Sequence, residues 1–149
     1  MYKEDFVCVA ERSKILVKEK GKKFFTYKSI NAIIKLWALK KELYTLDSTI
    51  NVNKIIKIES IGMQEMCTIK TFSGNELFLG KDTEVFVDGF WTPMYEVIYH
   101  EKIHVYDILE NVFKETYITN LEPHKKLKAV KIYAENENGI IVNGFTVRI

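Results

Sequence analysis

The sequence predicts a mostly β domain of many short strands with one or two short helices. Three observations lead there. β-branched and aromatic residues gather in short runs from LYTLD (43–47) to GFTVRI (144–149), the composition of half-buried pleated strands. Between runs stand SGN (73–75), DG (88–89), NENG (136–139) and NG (143–144), and Gly and Asn tolerate the positive φ that tight turns require. Helical spacing of apolar residues occurs in only two places. With 149 residues, 47% of them hydrophobic, and no Ser/Gly/Pro-rich linker, one core suffices and residues 1–149 are expected to form one domain.

Taken in order, Ile15 and Val17, then Phe24 and Phe25, flank the basic stretch KEKGKK and predict a hairpin with its tip at Gly21. Ile30, Ile33, Ile34 and Trp37 follow at i, i+3, i+4 and i+7, which places them on one helix face, with Ser29 positioned as the cap. From residue 43 the pattern is β again, in LYTLD, VNKIIKIESIG, MCTIKTF, ELFLG, EVFV and FWTP, with breaks expected at Gly62, 73–75 and 88–89. Ile108, Leu109, Val112 and Phe113 predict a second helix over roughly 107–116. EPHKK then reads as a polar connection to the last strands, LKAVKIYAE, GIIV and GFTVRI.

Charge and composition remove several classes of function. The 22 basic residues nearly balance 20 acidic ones, for a net charge of +2, so no strong field draws in nucleic acid or an anionic membrane. Arg12 and Arg148 are the only arginines, and Arg is the residue that reads phosphate and guanine bidentately. The excess of Lys with many Ile and Asn points to an AT-rich source. Cys8 and Cys67 match no zinc or redox spacing. The opening MYKEDFV holds two acids and no apolar core, so synthesis in the cytoplasm without a secretory signal is expected, and no apolar run approaches a membrane span.

Three segments in order, CVAERSKILVKEKGKKF, IKTFSGNELFLGKDTEVFVDGFWTP and VKIYAENENGIIVNGFTVRI, resemble three blocks of the protein-splicing (Hint, hedgehog/intein) domains of inteins. The resemblance implies a compact Hint-like fold over 1–149, with residues 1–7 as a short N-terminal extension and about 29–41 as a helical elaboration. It places Cys8 at the family's attacking nucleophile. The family's Thr-x-x-His falls on Gly80-Lys81-Asp82-Thr83, so Thr83 stands where a His would protonate the departing amide nitrogen, general-acid work worth roughly 10²–10⁴-fold. Lys131 falls at a catalytic Asp, Asn138 at a His, and Arg148-Ile149 at the terminal His-Asn, while Asn143-Gly144 keep the turn. Ile149 has no carboxamide to cyclise, and no following residue is expected to accept an acyl group. The stretch before the last block is too short for a homing endonuclease. The resemblance therefore implies a degenerate, non-catalytic domain with Cys8 as a vestigial nucleophile and Gly80, Thr83, Lys131, Asn138, Arg148 and Ile149 as altered positions.

Other readings remain beside it. His100-Glu101-Lys102-Ile103-His104 matches HExxH, in which two His on a helix bind zinc and the Glu activates water; the alternation VIYHEKIHVYD instead suits a strand, so His100, Glu101 and His104 are not expected to hold a metal. Cys8 could retain a thiol-initiated acyl shift, against the reading of a small buried hydrophobe. Trp37, Trp91, Tyr95, Tyr99 and Tyr106 read as core rather than a binding surface. The Lys-rich hairpin with Lys125, Lys126 and Lys128 is the one nucleic-acid reading, and a solvated hairpin tip is its plainer alternative. Expected partners are other protein subunits in a larger assembly such as a virion or phage-tail-like particle, with no cofactor, metal, small molecule, membrane or nucleic acid.

Overall fold

The two longest strands, Val52–Thr71 and Val112–Ala134, each join runs that the sequence presents as separate. The computed structural model describes residues 7–149, so of the expected extension at 1–7 only Val7 falls within the described residues. In chain order the elements are β1 (Val9–Ala10), β2 (Lys14–Glu19), β3 (Thr26–Ser29), α1 (Ile30–Ala38), β4 (Leu43–Leu46), β5 (Val52–Thr71), β6 (Glu76–Leu79), β7 (Glu84–Val87), β8 (Phe90–Pro93), a 3-10 turn (Met94–Glu96), β9 (Lys102–Asp107), β10 (Val112–Ala134), β11 (Ile140–Val142) and β12 (Phe145–Arg148).

Every pairing is antiparallel. The strands follow the order β8-β7-β12-β11-β2-β4-β5-β6-β1-β10-β9, with β3 on β2 and β5 also bonded to β10. That last pairing closes the circuit β5–β6–β1–β10. β1, only two residues long, lies between β6 and β10 through Val9 opposite both Leu79 and Val130. The main core gathers Ile15, Val17, Ile33, Leu43, Ile69 and Phe145, with further residues from nearly every strand.

The helix forms where its apolar spacing places it, with the Ser29 hydroxyl accepting from the Ala32 N–H at 3.2 Å. Ile30 and Ile33 are buried and Trp37 packs against the core, while Ile34 is exposed. Three sequence expectations are corrected. The segment 107–116 is not helical: β9 and β10 form a hairpin with Asp107 opposite Val112 and Tyr106 opposite Phe113. The Asp107 carboxylate accepts from the N–H groups of Leu109 and Glu110, at 2.9 and 3.3 Å, and Asn111 takes φ 54°, so turn chemistry overrides helical spacing. Gly62 ends no strand. It sits inside β5 at φ 77°, where the register steps from Gly62 opposite Ala129 to Ser60 opposite Val130, a β-bulge. EPHKK likewise lies within β10, and the extra residue between Glu122 and Lys125 is a bulge beside Pro123, which has no N–H to give to the ladder.

The turn before β11 depends on one glycine. Gly139 has φ +99°, and a Cβ there would lie 2.6 Å from the Trp91 ring and 2.8 Å from the Thr146 methyl. Both backbone and space exclude a side chain. Gly139→Ala is expected to lower stability by about 2 kcal/mol or more, read as a lower urea midpoint at unchanged slope; an unchanged midpoint would show that this turn relaxes freely.

Candidate functional site

Cys8 enters the fold immediately ahead of β1 and is completely buried, as is Thr83. Thr83 closes the turn between β6 and β7, its N–H donating to the Gly80 carbonyl at 3.0 Å. From there its side chain meets the Cys8 backbone twice. The Cys8 N–H donates to Thr83 Oγ1 at 2.9 Å, and the Thr83 hydroxyl donates to the Cys8 carbonyl at 3.0 Å. The Gly80 N–H donates to the same carbonyl at 2.9 Å. Gly80 and Thr83 thus bond to Cys8, which lies 75 positions before Thr83 in the chain.

The polarity of these bonds decides what the arrangement can do. A proton donor would have to present hydrogen to the Cys8 nitrogen as the Val7–Cys8 amide breaks. Thr83 presents an oxygen lone pair to that N–H, and its own hydrogen is directed to a carbonyl. The pair holds the amide in place. The Cys8 side chain, for its part, belongs to a buried cluster with Ala10, Met66, Phe78 and Ala129. Cys67 is half-buried, and burial pushes its thiol pKa up, with Glu65 adding to the rise and Lys81 opposing it.

Beside this clamp lies a cleft of about 520 Å³ lined by Val7, Asp82, Glu84, Tyr133, Arg148 and Ile149, among others. The residue ahead of Cys8 and the last residue of β12's strand end therefore share one cleft. Arg148 spans its rim: Nε donates to the Glu137 carbonyl at 3.0 Å, Nη1 lies 3.4 Å from Glu84 Oε1, and the guanidinium stacks 4.1 Å from the centre of the Trp91 ring. Ile149 packs its apolar side chain against the core. Lys131 lies on β10 opposite Glu59 and does not line the cleft. Nor does Asn138, which is exposed; its N–H donates to Asn136 Oδ1 at 3.0 Å, and its carbonyl accepts from the Ser48 N–H at 3.0 Å.

Sequence reasoning missed Glu84, Glu137 and Tyr133 as cleft residues, since Glu84 and Glu137 meet Arg148 only across the fold and Tyr133 reaches the cleft only by its place on β10. It also understated Asn143. At φ 52° this residue makes the turn, but its Oδ1 also accepts from the Lys14 N–H at 2.8 Å and its Nδ2 donates to the Glu76 carbonyl at 2.9 Å. One side chain thereby joins β2, β6 and the β11–β12 turn.

The HExxH segment is a turn and a strand. His100 sits at φ 62°, His104 lies in β9 opposite Glu115, and Glu101 Oε2 accepts from the Ile98 N–H at 3.1 Å. Neither histidine lines the cleft, and among the described residues no three His, Cys, Asp or Glu side chains group so as to hold a metal ion. Of the aromatic residues expected in the core, Trp37 packs against it and Tyr106 is buried, but Tyr95 and Tyr99 are exposed, because the segment 94–101 leaves the sheet as a 3-10 turn and a loop. No described helix is long and apolar enough to cross a membrane.

This geometry defines an intein-like Hint fold, and comparison with solved structures agrees. A mutant Ssp DnaB mini-intein matches with a TM-score of 0.76 at 16% identity, over 99% of this chain and 94% of its own. The DnaX mini-intein from Spirulina platensis matches at 0.74 and 17%, over 95% of this chain and 99% of its own. An intein from a hyperthermophile matches at 0.74 and 13%, over 95% and 98%. No protein-family model and no curated protein matches the sequence. The likeness is one of fold: the chain adopts the intein-like Hint architecture over nearly its whole length.

Thr83→Val removes both bonds to Cys8 at nearly constant volume and leaves a buried N–H without that acceptor. It is expected to cost about 1–3 kcal/mol, measured by chemical denaturation; a neutral result would mean that the clamp carries no stability.

Proposed function

We propose that this chain is a catalytically inactive intein-like domain that acts as a structural or protein-interaction module, and that it is a component of a phage or phage-tail-like particle. The observation that carries the inactive reading is the Thr83 hydroxyl, an acceptor toward the Cys8 N–H where splicing would need a proton donor. Burial of the Cys8 side chain among apolar residues supports it, as does Ile149, an aliphatic residue at the position where the resemblance places the cyclising Asn. The particle assignment rests on the Lys-, Ile- and Asn-rich composition.

A second reading, residual thiol-initiated cleavage at Cys8, has one feature in its favour: Val7, whose carbonyl the thiol would attack, lines the open cleft. Intact mass after prolonged incubation with dithiothreitol separates the two. An unchanged mass is expected, and loss of residues 1–7 would sink the inactive reading. Cys8→Ala is expected to leave that mass behaviour and the fold intact, because Cys8 acts as a small apolar group. For the zinc-hydrolase alternative, the expected metal content of purified protein is nil; stoichiometric zinc lost on His100→Ala would establish it.

A further inference from the structure

Two hairpin tips meet on one surface and leave large apolar groups in water. In the β2–β3 loop Phe24 is 81% exposed, and at the β9–β10 tip Leu109 is 93% exposed. Between them is a groove of about 510 Å³ whose sides include Phe24, Phe25, Ile50, Val52, Ile108 and Leu109, with Leu46 and Tyr106 beneath. Turn tips ordinarily carry polar residues, and a contiguous exposed apolar patch with a polar rim is the mark of an interaction site.

The rim is charged unevenly. Residues 18–23 read KEKGKK, four lysines against one glutamate. Glu42 is engaged by Lys20 and Lys54, and Asp107 and Glu110 are engaged by Lys114. Lys18 lies over the Phe25 ring at 5.2 Å. Lys23 lines the groove itself, and neither it nor Lys22 has an ion pair among the described residues. Glu42, Asp107 and Glu110 are thus each engaged by a lysine, whereas Lys22 and Lys23 at the Phe24 end have no such pair among the described residues.

We propose that this groove docks an acidic segment of another protein that is rich in Leu and Phe, its apolar side chains entering between Phe24 and Leu109 and its carboxylates meeting Lys22 and Lys23. The proposal rests on the interaction role inferred above. It is separable from the inactive chemistry, because peptide binding and intact mass are independent readouts.

The test uses fluorescence anisotropy on the full chain with a labelled peptide of Leu, Phe and Glu, and a counterpart in which every Glu is Lys. The acidic peptide is expected to bind, more weakly as salt rises. Leu109→Asp, and separately the double variant Lys22→Glu/Lys23→Glu, should each weaken it about tenfold or more, while Tyr95→Ser, outside the groove, should not. All these positions are exposed, and unchanged thermal melts will show that the variants fold. The proposal is overturned if the acidic peptide does not bind, if the two peptides bind equally, or if the groove variants bind as the parent does. It is also overturned by self-association that Leu109→Asp abolishes, which would make a second copy the occupant, or by binding to phosphatidylserine vesicles that requires Phe24 and Leu109.

Discussion

Pairing between β5 and β10, from Thr71 opposite Ile118 to Ile55 opposite Ala134, is the constraint on which the other strands depend. β4 and β6 attach to β5, and β1 and β9 attach to β10. Everything further out is hung from these: β2 on β4, and then the β11–β12–β7–β8 series. Strands of 20 and 23 residues cannot stay flat, since each twists about its own axis. The bulges at Gly62 and beside Pro123 take up that twist and reset the register. Local irregularity in the two long strands is therefore what lets one ladder serve both the β4 side and the β1 side of the molecule.

Features set by neighbouring residues were legible in the sequence, and features set by distant ones were not. The α1 helix, its Ser29 cap and the NG turn at 143–144 each need only a few consecutive residues to specify them. The segment 107–116 was misread because Ile108, Leu109, Val112 and Phe113 suit a helix face and a four-residue hairpin tip equally well. Asp107 decides between them through bonds to the backbone, and Asn111 by taking a positive φ. Gly62 and EPHKK looked like breaks because Gly and Pro interrupt most strands, and only the partner strand shows that here they are bulges. The positions of Cys8 and Thr83 could be read from order along the chain, but the direction of the bonds between them could not.

Those bonds also satisfy two buried backbone groups of Cys8. A buried amide deprived of its partner destabilises a protein, and the Cys8 N–H lies one residue ahead of β1 in the closed β5–β6–β1–β10 circuit. Thr83 meets that need: its oxygen accepts from the N–H and its hydrogen goes to the Cys8 carbonyl. Arg148 does similar work at the cleft rim, where its Trp91, Glu84 and Glu137 contacts join β12 to β7, β8 and the loop before β11. Both side chains engage their polar groups in contacts within the fold.

The reciprocal bond between Thr83 and Cys8 also has a mechanical side. β1 is bonded to β6 on one flank and to β10 on the other, and the Thr83 clamp grips the chain one residue upstream. Tension applied along the chain ahead of Cys8 would therefore load the clamp and both flanking strands together instead of peeling bonds one after another. A two-residue strand is in this way fastened on three sides, by β6, by β10 and by the Thr83 side chain just upstream.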